Sequence, residues 1–248
     1  MAVYGPAGVA VDDAGNIYIA NSSVSNYVFK QDPEGRESRL SFRYLQIPYG
    51  VTVDAAGTVY VTDYKYDSKY QRGFVYRLTT AGVETTIVIP ELRNPTDVHV
   101  DTAGNLYVVD SWNDRIVRVR PNGTQETIPP GNLAFPFGIF VDTAGTITVS
   151  NSEDRIGIVR LDAAGNQTTL PFTGLDRSMG LDIDGAGNIY VAQAGYRSST
   201  PRVVKMTPDG VQSVLPSGPG VLRNPRGIAV TDNAVLVADE YGVQKLAL

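Results

Sequence analysis

Short apolar runs recur along the chain with constant polar punctuation. IYIA begins at Ile17, VYVT at Val59, LYVV at Leu106, ITVS at Ile147, IYVA at Ile189 and VLVA at Val235. Five of the six follow an Asp-x-Ala-Gly step opened by Asp12, Asp54, Asp101, Asp142 or Asp184. Ahead of each step lies a second apolar run entered through a Pro-x-Gly-like triplet. These openings stand at Pro6, Pro48, Pro95, Pro136, Ser178 and Pro225, so successive repeats are 42, 47, 41, 42 and 47 residues apart by subtraction. Self-similarity at such a period is the mark of a repeat architecture. Within the first repeat the pattern predicts strands over 9–11, 17–20, 27–30 and 38–42, joined by Gly, Asn and Asp turns, and no segment keeps a helical period.

The first two strands of each repeat are apolar at almost every position, whereas a sheet with one wet face alternates. They must therefore be covered on both sides. A four-stranded antiparallel sheet packed between two copies of itself around an axis meets that demand. The expectation is an all-β, six-bladed β-propeller of four-stranded antiparallel blades forming one domain over 1–248, with one blade incomplete. The last repeat stops after its third strand. Residues 1–4 are too close to the first strand to supply a fourth across three strand spacings of about 4.8 Å each. The preferred explanation at this point is a chain that lacks residues at one end.

Composition narrows the chemistry. With 42% hydrophobic and 19% charged residues the chain reads as folded, and 25 Gly and 15 Pro accord with many turns. A net charge of -5 argues against a nucleic-acid partner. There is no Cys and a single His, which removes thiolate chemistry and a histidine-rich zinc site. No apolar stretch is long enough for a membrane span.

The phrase Pro-x-Gly-[VIL]-x-[VI]-Asp, then Ala-Gly-[NT]-[VIL]-Tyr-Val-x-[DN], then Arg-[VI]-Val-[KR]-[VLM] resembles the NHL-repeat β-propellers in all six repeats. More narrowly, Gln167 to Leu175 with Gly187 to Val191 and Arg202 to Lys205 is similar to the extracytoplasmic sensor propeller of actinobacterial receptor Ser/Thr protein kinases. The resemblance implies a non-enzymatic binding or sensing module of a larger extracytoplasmic receptor. Its partner is an unknown peptide, protein, glycan or anionic small molecule. Six-bladed relatives also include calcium-dependent lactonases, so the alternative is a lactonase-like hydrolase with calcium as its cofactor.

Candidate residues fall on the face where the repeats differ. Strands alternate in direction, so the connections between repeats share one face with the loops between second and third strands. The residue after the opening Pro runs Ala7, Tyr49, Thr96, Phe137, Met179, Arg226, while scaffold positions agree. Two loops are enlarged, 64–72 and 194–201, in repeats three apart and hence opposite in a ring of six. They carry Tyr64, Tyr66, Tyr70, Arg72, Tyr196 and Arg197, and Trp112 occupies the matching loop of the third repeat. Aromatics beside cations suit recognition. Tyr49, Phe137 and Arg226 complete the candidate ligand set. The residues ending the second strands include Asp63, Asp110, Asn151 and Asp239, oxygen ligands suited to calcium. The competing account is that they begin Asx turns. His99 lies mid-strand, where packing or hydrogen bonding is its expected work.

Overall fold

A computed structural model describes residues 5–22, 27–66, 71–129, 131–153, 156–195, 200–218 and 220–248, with the backbone alone for Lys65, Tyr66 and Gln71. Its strands form six sheets. Blade one comprises β1 (Pro6–Val11), β2 (Ile17–Asn21), β3 (Tyr27–Gln31) and β4 (Glu37–Leu40); blade two comprises β5 (Pro48–Val53), β6 (Val59–Tyr66), β7 (Gln71–Leu78) and β8 (Glu84–Ile87). Blade three holds β9 (Pro95–Val100), β10 (Leu106–Asp110), β11 (Arg115–Val119) and β12 (Gln125–Ile128). Blade four holds β13 (Pro136–Val141), β14 (Ile147–Asn151), β15 (Ile158–Leu161) and β16 (Gln167–Thr169). Blade five holds β17 (Ser178–Ile183), β18 (Ile189–Gln193), β19 (Arg202–Met206) and β20 (Gln212–Val214). Blade six holds β21 (Gly227–Thr231), β22 (Ala234–Asp239) and β23 (Gly242–Ala247), three strands among the described residues. Every pairing is antiparallel between chain neighbours. The six-bladed propeller expected from the repeats is the fold observed.

The core explains why the first two strands of each blade carry no polar face. Apolar clusters lie between blades: Tyr18, Ala20 and Val28 pack on Val51, Val59 and Val61 from blade two, and Tyr107, Val109 and Ile116 pack on Ile139, Ile147 and Val149 from blade four. Val9, Ile19 and Phe29 meet Ala229, Leu236 and Ala238, which closes the ring between blades one and six. The outer strands, in contrast, are largely exposed.

At the inner end of each blade the opening triplet packs against its neighbour. A Cβ on Gly138 would sit 2.8 Å from Gly180 Cα, and one on Gly227 would sit 2.6 Å from the Ala7 carbonyl oxygen. Only glycine permits that approach, which is the reason the triplet repeats. Asp97 breaks the pattern, taking the place that Gly50 and Gly138 hold in the flanking blades.

On the opposite face the Asp-x-Ala-Gly steps are turns built as expected. Asp12 Oδ1 accepts from the amides of Ala14 (3.1 Å) and Asn16 (2.8 Å), while Oδ2 accepts from the Tyr18 hydroxyl at 3.0 Å. The same Tyr–Asp bond recurs at Tyr60, Tyr107 and Tyr190, over 3.1, 3.1 and 2.9 Å. The core tyrosines thus find their hydroxyl partners at the turn of their own blade. Burial and the bond to Asp12 raise the Tyr18 phenol. At Asp12 and Asp184 partial burial pushes the carboxyl up, but bonds from Asn16 and Asn188 and from the tyrosines hold both below the ordinary value.

Candidate functional site

The face bearing the inter-blade connections ends in a mouth over the propeller axis. Its geometry starts with the backbone. The residue just before the opening triplet is left-handed in five blades: Gly5 (φ 61°), Asn94 (48°), Phe135 (47°), Arg177 (54°) and Asn224 (50°). A β-carbon disfavours that conformation by about 1–2 kcal/mol, and such residues concentrate at functional sites. The strain is held by bonds between each connection and its blade. The Trp112, Ser152, Ala194 and Glu240 amides donate to the carbonyls of Arg93, Phe135, Arg177 and Arg223.

Side chains from these positions and from the residues after the opening triplet's first member converge in a cavity of about 210 Å³. Tyr49, Trp112, Phe135 and Phe137 give it an aromatic arc over blades two to four, and Arg177 and Arg226 give it a cationic arc over blades five and six. Tyr49 meets Phe137 edge-on at 6.4 Å between ring centres, and the Arg226 guanidinium stands 6.0 Å from the Tyr49 ring. The positions after the opening residue alternate in size around the ring. Large Tyr49, Phe137 and Arg226 come from alternate blades and meet above the axis, with Ala7, Thr96 and Met179 between them. Thr96 Oγ1 donates to the Phe137 carbonyl at 2.8 Å, fixing blade four against blade three.

In blade two the enlarged segment differs at its flanks from the expected loop. There β6 continues to Tyr66 and β7 begins at Gln71, so the flanks of 64–72 are paired strand, with Tyr64 opposite Gly73 and Tyr66 opposite Gln71. The alternating Tyr-Lys-Tyr sequence favours strand over loop once a partner strand runs alongside. Tyr64 packs edge-on against Trp112 of the next blade at 5.9 Å, and Arg93 stands 6.0 Å from the same indole. Arg72 lines a groove of about 770 Å³ with Phe74, Ile87, Val88 and Leu92. The side chain of Tyr66, and residues Tyr70, Tyr196 and Arg197, lie outside the described residues. Blades two and five do stand opposite, since each inner strand packs on the next around the ring.

The oxygens ending the second strands are buried within their blades instead of edging the mouth. Asp63 Oδ1 accepts from the Gln46 and Ile47 amides at 2.9 and 2.8 Å. Asp110 accepts from the Arg93 amide at 2.7 Å and pairs with Arg115 at 2.7 Å. Asn151 accepts from Ala134 at 2.9 Å, and Asp239 accepts from Arg223 and Tyr241 at 3.0 and 2.8 Å. Each staples the connection entering its own blade. They do not fit a shared calcium cage: among the described residues no three His, Cys, Asp or Glu come together as metal ligands.

Below the mouth an axial channel of about 230 Å³ holds a pair that the repeat pattern did not single out. Asp97 Oδ1 and Oδ2 accept from the amides of Val98 (2.9 Å) and Ile139 (3.0 Å), and Asp182 accepts from Ile183 (2.8 Å) and Val230 (2.7 Å). Each carboxyl therefore bridges two blades. Their position deep in the ring pushes Asp97 up to about 7 and Asp182 to about 6, against the amide bonds that favour ionisation. Asp182 also repels the charge on Asp97. His99 lines the same channel, its ring 5.1 Å from Phe140, and burial depresses it to about 4. Packing, as expected, is its visible role. The signal for Asp97 was present in Pro95-Thr96-Asp97, where an acid replaces the repeat's glycine.

Comparison with solved structures follows this geometry. A streptogramin B lyase shares 18% identity at a TM-score of 0.71, over 100% of this chain and 95% of that one. The catalytically inactive H270A virginiamycin B lyase from Staphylococcus aureus with quinupristin shares 16% at 0.73, over 98% and 80%. A gluconolactonase from Xanthomonas campestris shares 15% at 0.76, over 100% and 88%. At these identities the likeness is one of fold, a six-bladed propeller shared along the whole chain. No family model and no curated protein matches the sequence.

Proposed function

We propose that this chain is a non-enzymatic ligand-binding propeller of NHL type, working at the axial mouth as the sensor module of a larger extracytoplasmic receptor. One observation carries the reading: the positions at which the repeats disagree are the positions that converge in the mouth cavity, on a strained backbone, as four aromatics and two arginines. The lining of the cavity is more polar than apolar, with aromatic faces set among arginine, asparagine, serine and threonine groups that can fix a small ligand's orientation. The repeats' agreement elsewhere serves the wheel, and the recurring phrase supports the NHL assignment.

The lyase reaction of the structural neighbours finds no support in the side chains. The inactive lyase variant replaces a histidine, whereas the single His here is His99, packed in the channel. The lactonase-like reading rests on the fold shared with the gluconolactonase. The lone tryptophan, Trp112, lines the mouth and is 38% exposed. Its fluorescence therefore reports occupancy directly. Titration with peptides, glycans and small acids should change Trp112 emission for one class, and Phe137→Ala should abolish the change while the melting temperature holds. Calcium-dependent hydrolysis of a lactone by the native chain, abolished when the metal is chelated, would replace this reading with the enzymatic one.

A further inference from the structure

We infer that the mouth takes an amphipathic anion, a small carboxylate carrying a flat apolar group, held with its charge toward blades five and six. The assignment rests on the mouth being the ligand site and adds the ligand's chemistry. The chain as a whole is acidic, at -5, yet the described residues lining the mouth cavity include Arg177 and Arg226 and no Asp or Glu. The two arginines make the lining itself cationic, with the nearest acids, Asp114 and Glu240, turned to the Phe135 amide and the Asn224 carboxamide behind it, and a cationic lining draws anions to the opening. Among the described residues no carboxylate pairs with Arg226; its guanidinium stands by the Tyr49 ring, a contact that leaves the fork of N–H donors available. Arginine's planar donors match a carboxylate two-to-two, a geometry that an amide or alcohol does not reproduce.

The other half of the cavity fixes the other half of the ligand. Trp112, Phe135 and Phe137 rise from neighbouring blades across from the arginines, and Tyr49 joins the two arcs through its contacts to Phe137 and Arg226. A ring or short hydrocarbon reaching from the arginines lies against these faces. At about 210 Å³ the cavity lies just below the usual range for ligand pockets, about 300–1,000 Å³, which points to a small ligand.

The test compares phenylacetate, phenylacetamide and phenethylamine, three probes alike in ring and differing in charge, by Trp112 fluorescence and calorimetry on the whole chain. Phenylacetate should bind at least about tenfold more tightly than the amide, about 1.4 kcal/mol, with the amine weaker still. Arg226→Met and, separately, Arg177→Met should erase the preference, whereas Phe137→Ala should weaken acid and amide alike. Equal binding of acid and amide, still weakened by Phe137→Ala, overturns the anion and leaves the mouth as a ligand site. Binding that no mouth variant alters overturns both, and so does failure of all three probes to bind. Thermal melts of the arginine variants confirm folding; if one fails to fold, the other carries the comparison.

Discussion

Replacing Asp97 with asparagine should reverse the pH dependence of the propeller's stability. Asp97 and Asp182 titrate near 7 and 6 in the ring, against an ordinary value of 3.8. Between these values the folded chain binds more protons than the unfolded one, so their contribution is complete below about pH 4 and is lost as pH rises through the folded values. His99 acts oppositely: folded at about 4 against 6.5, it withholds stability at low pH and restores it by about pH 6.5. At about 1.4 kcal/mol per pH unit, going from pH 5 to pH 8 removes about 3 kcal/mol through Asp97 and about 1 through Asp182, and returns about 2 through His99. The native chain should therefore be about 2 kcal/mol less stable at pH 8 than at pH 5, by these groups. The carboxamide that Asp97→Asn introduces cannot ionise, so the variant should be slightly more stable at the higher pH. Urea unfolding followed by circular dichroism at both pH values measures this, and the difference of differences cancels the amide bonds that a carboxamide accepts less well. Equal pH dependence in the two proteins refutes the reasoning, because it would mean that Asp97 ionises in the ring as freely as in water.

Gly138→Ala should destabilise by about 1–3 kcal/mol, since its Cβ meets backbone of blade five at 2.8 Å; Gly185→Ala, with nothing nearby, should leave the urea midpoint almost unmoved. Tyr190→Phe removes the hydroxyl bond to Asp184 and should cost about 1 kcal/mol in the same assay. Asp110→Ala should cost about 3 kcal/mol, because it strips a buried acid from Arg115 and from the Arg93 amide. Added calcium should not restore that loss, a point that differential scanning calorimetry decides.

The wheel was legible because its physics repeats. Runs such as IYIA and LYVV have no wet face, so neighbours on both sides were implied before any coordinates, and the clusters between blades supply them. The Asp-x-Ala-Gly turns were legible for a local reason, as Asp12 bonds amides two and four residues away. Tyr49, Trp112, Phe137 and Arg226 were legible as departures from the repeat. Matters that depend on pairing between distant segments were not. Whether 64–66 and 71–72 are loop or paired strand turns on register, and Asp63 or Asp239 at a strand's end looks the same whether it faces an axis or a connection sixteen residues back. Asp97 was visible as an acid in a glycine's place, but its meaning required knowing that the next blade's Ile139 amide lies beside it.

The left-handed residues at the mouth have a practical consequence. Because Phe135 and Arg177 reach the same backbone conformation as Asn94 and Asn224, although a large side chain disfavours it, that conformation is enforced by the wheel. A library randomised at these four positions together with 49, 137 and 226 should therefore yield folded members at high frequency, each with its own specificity.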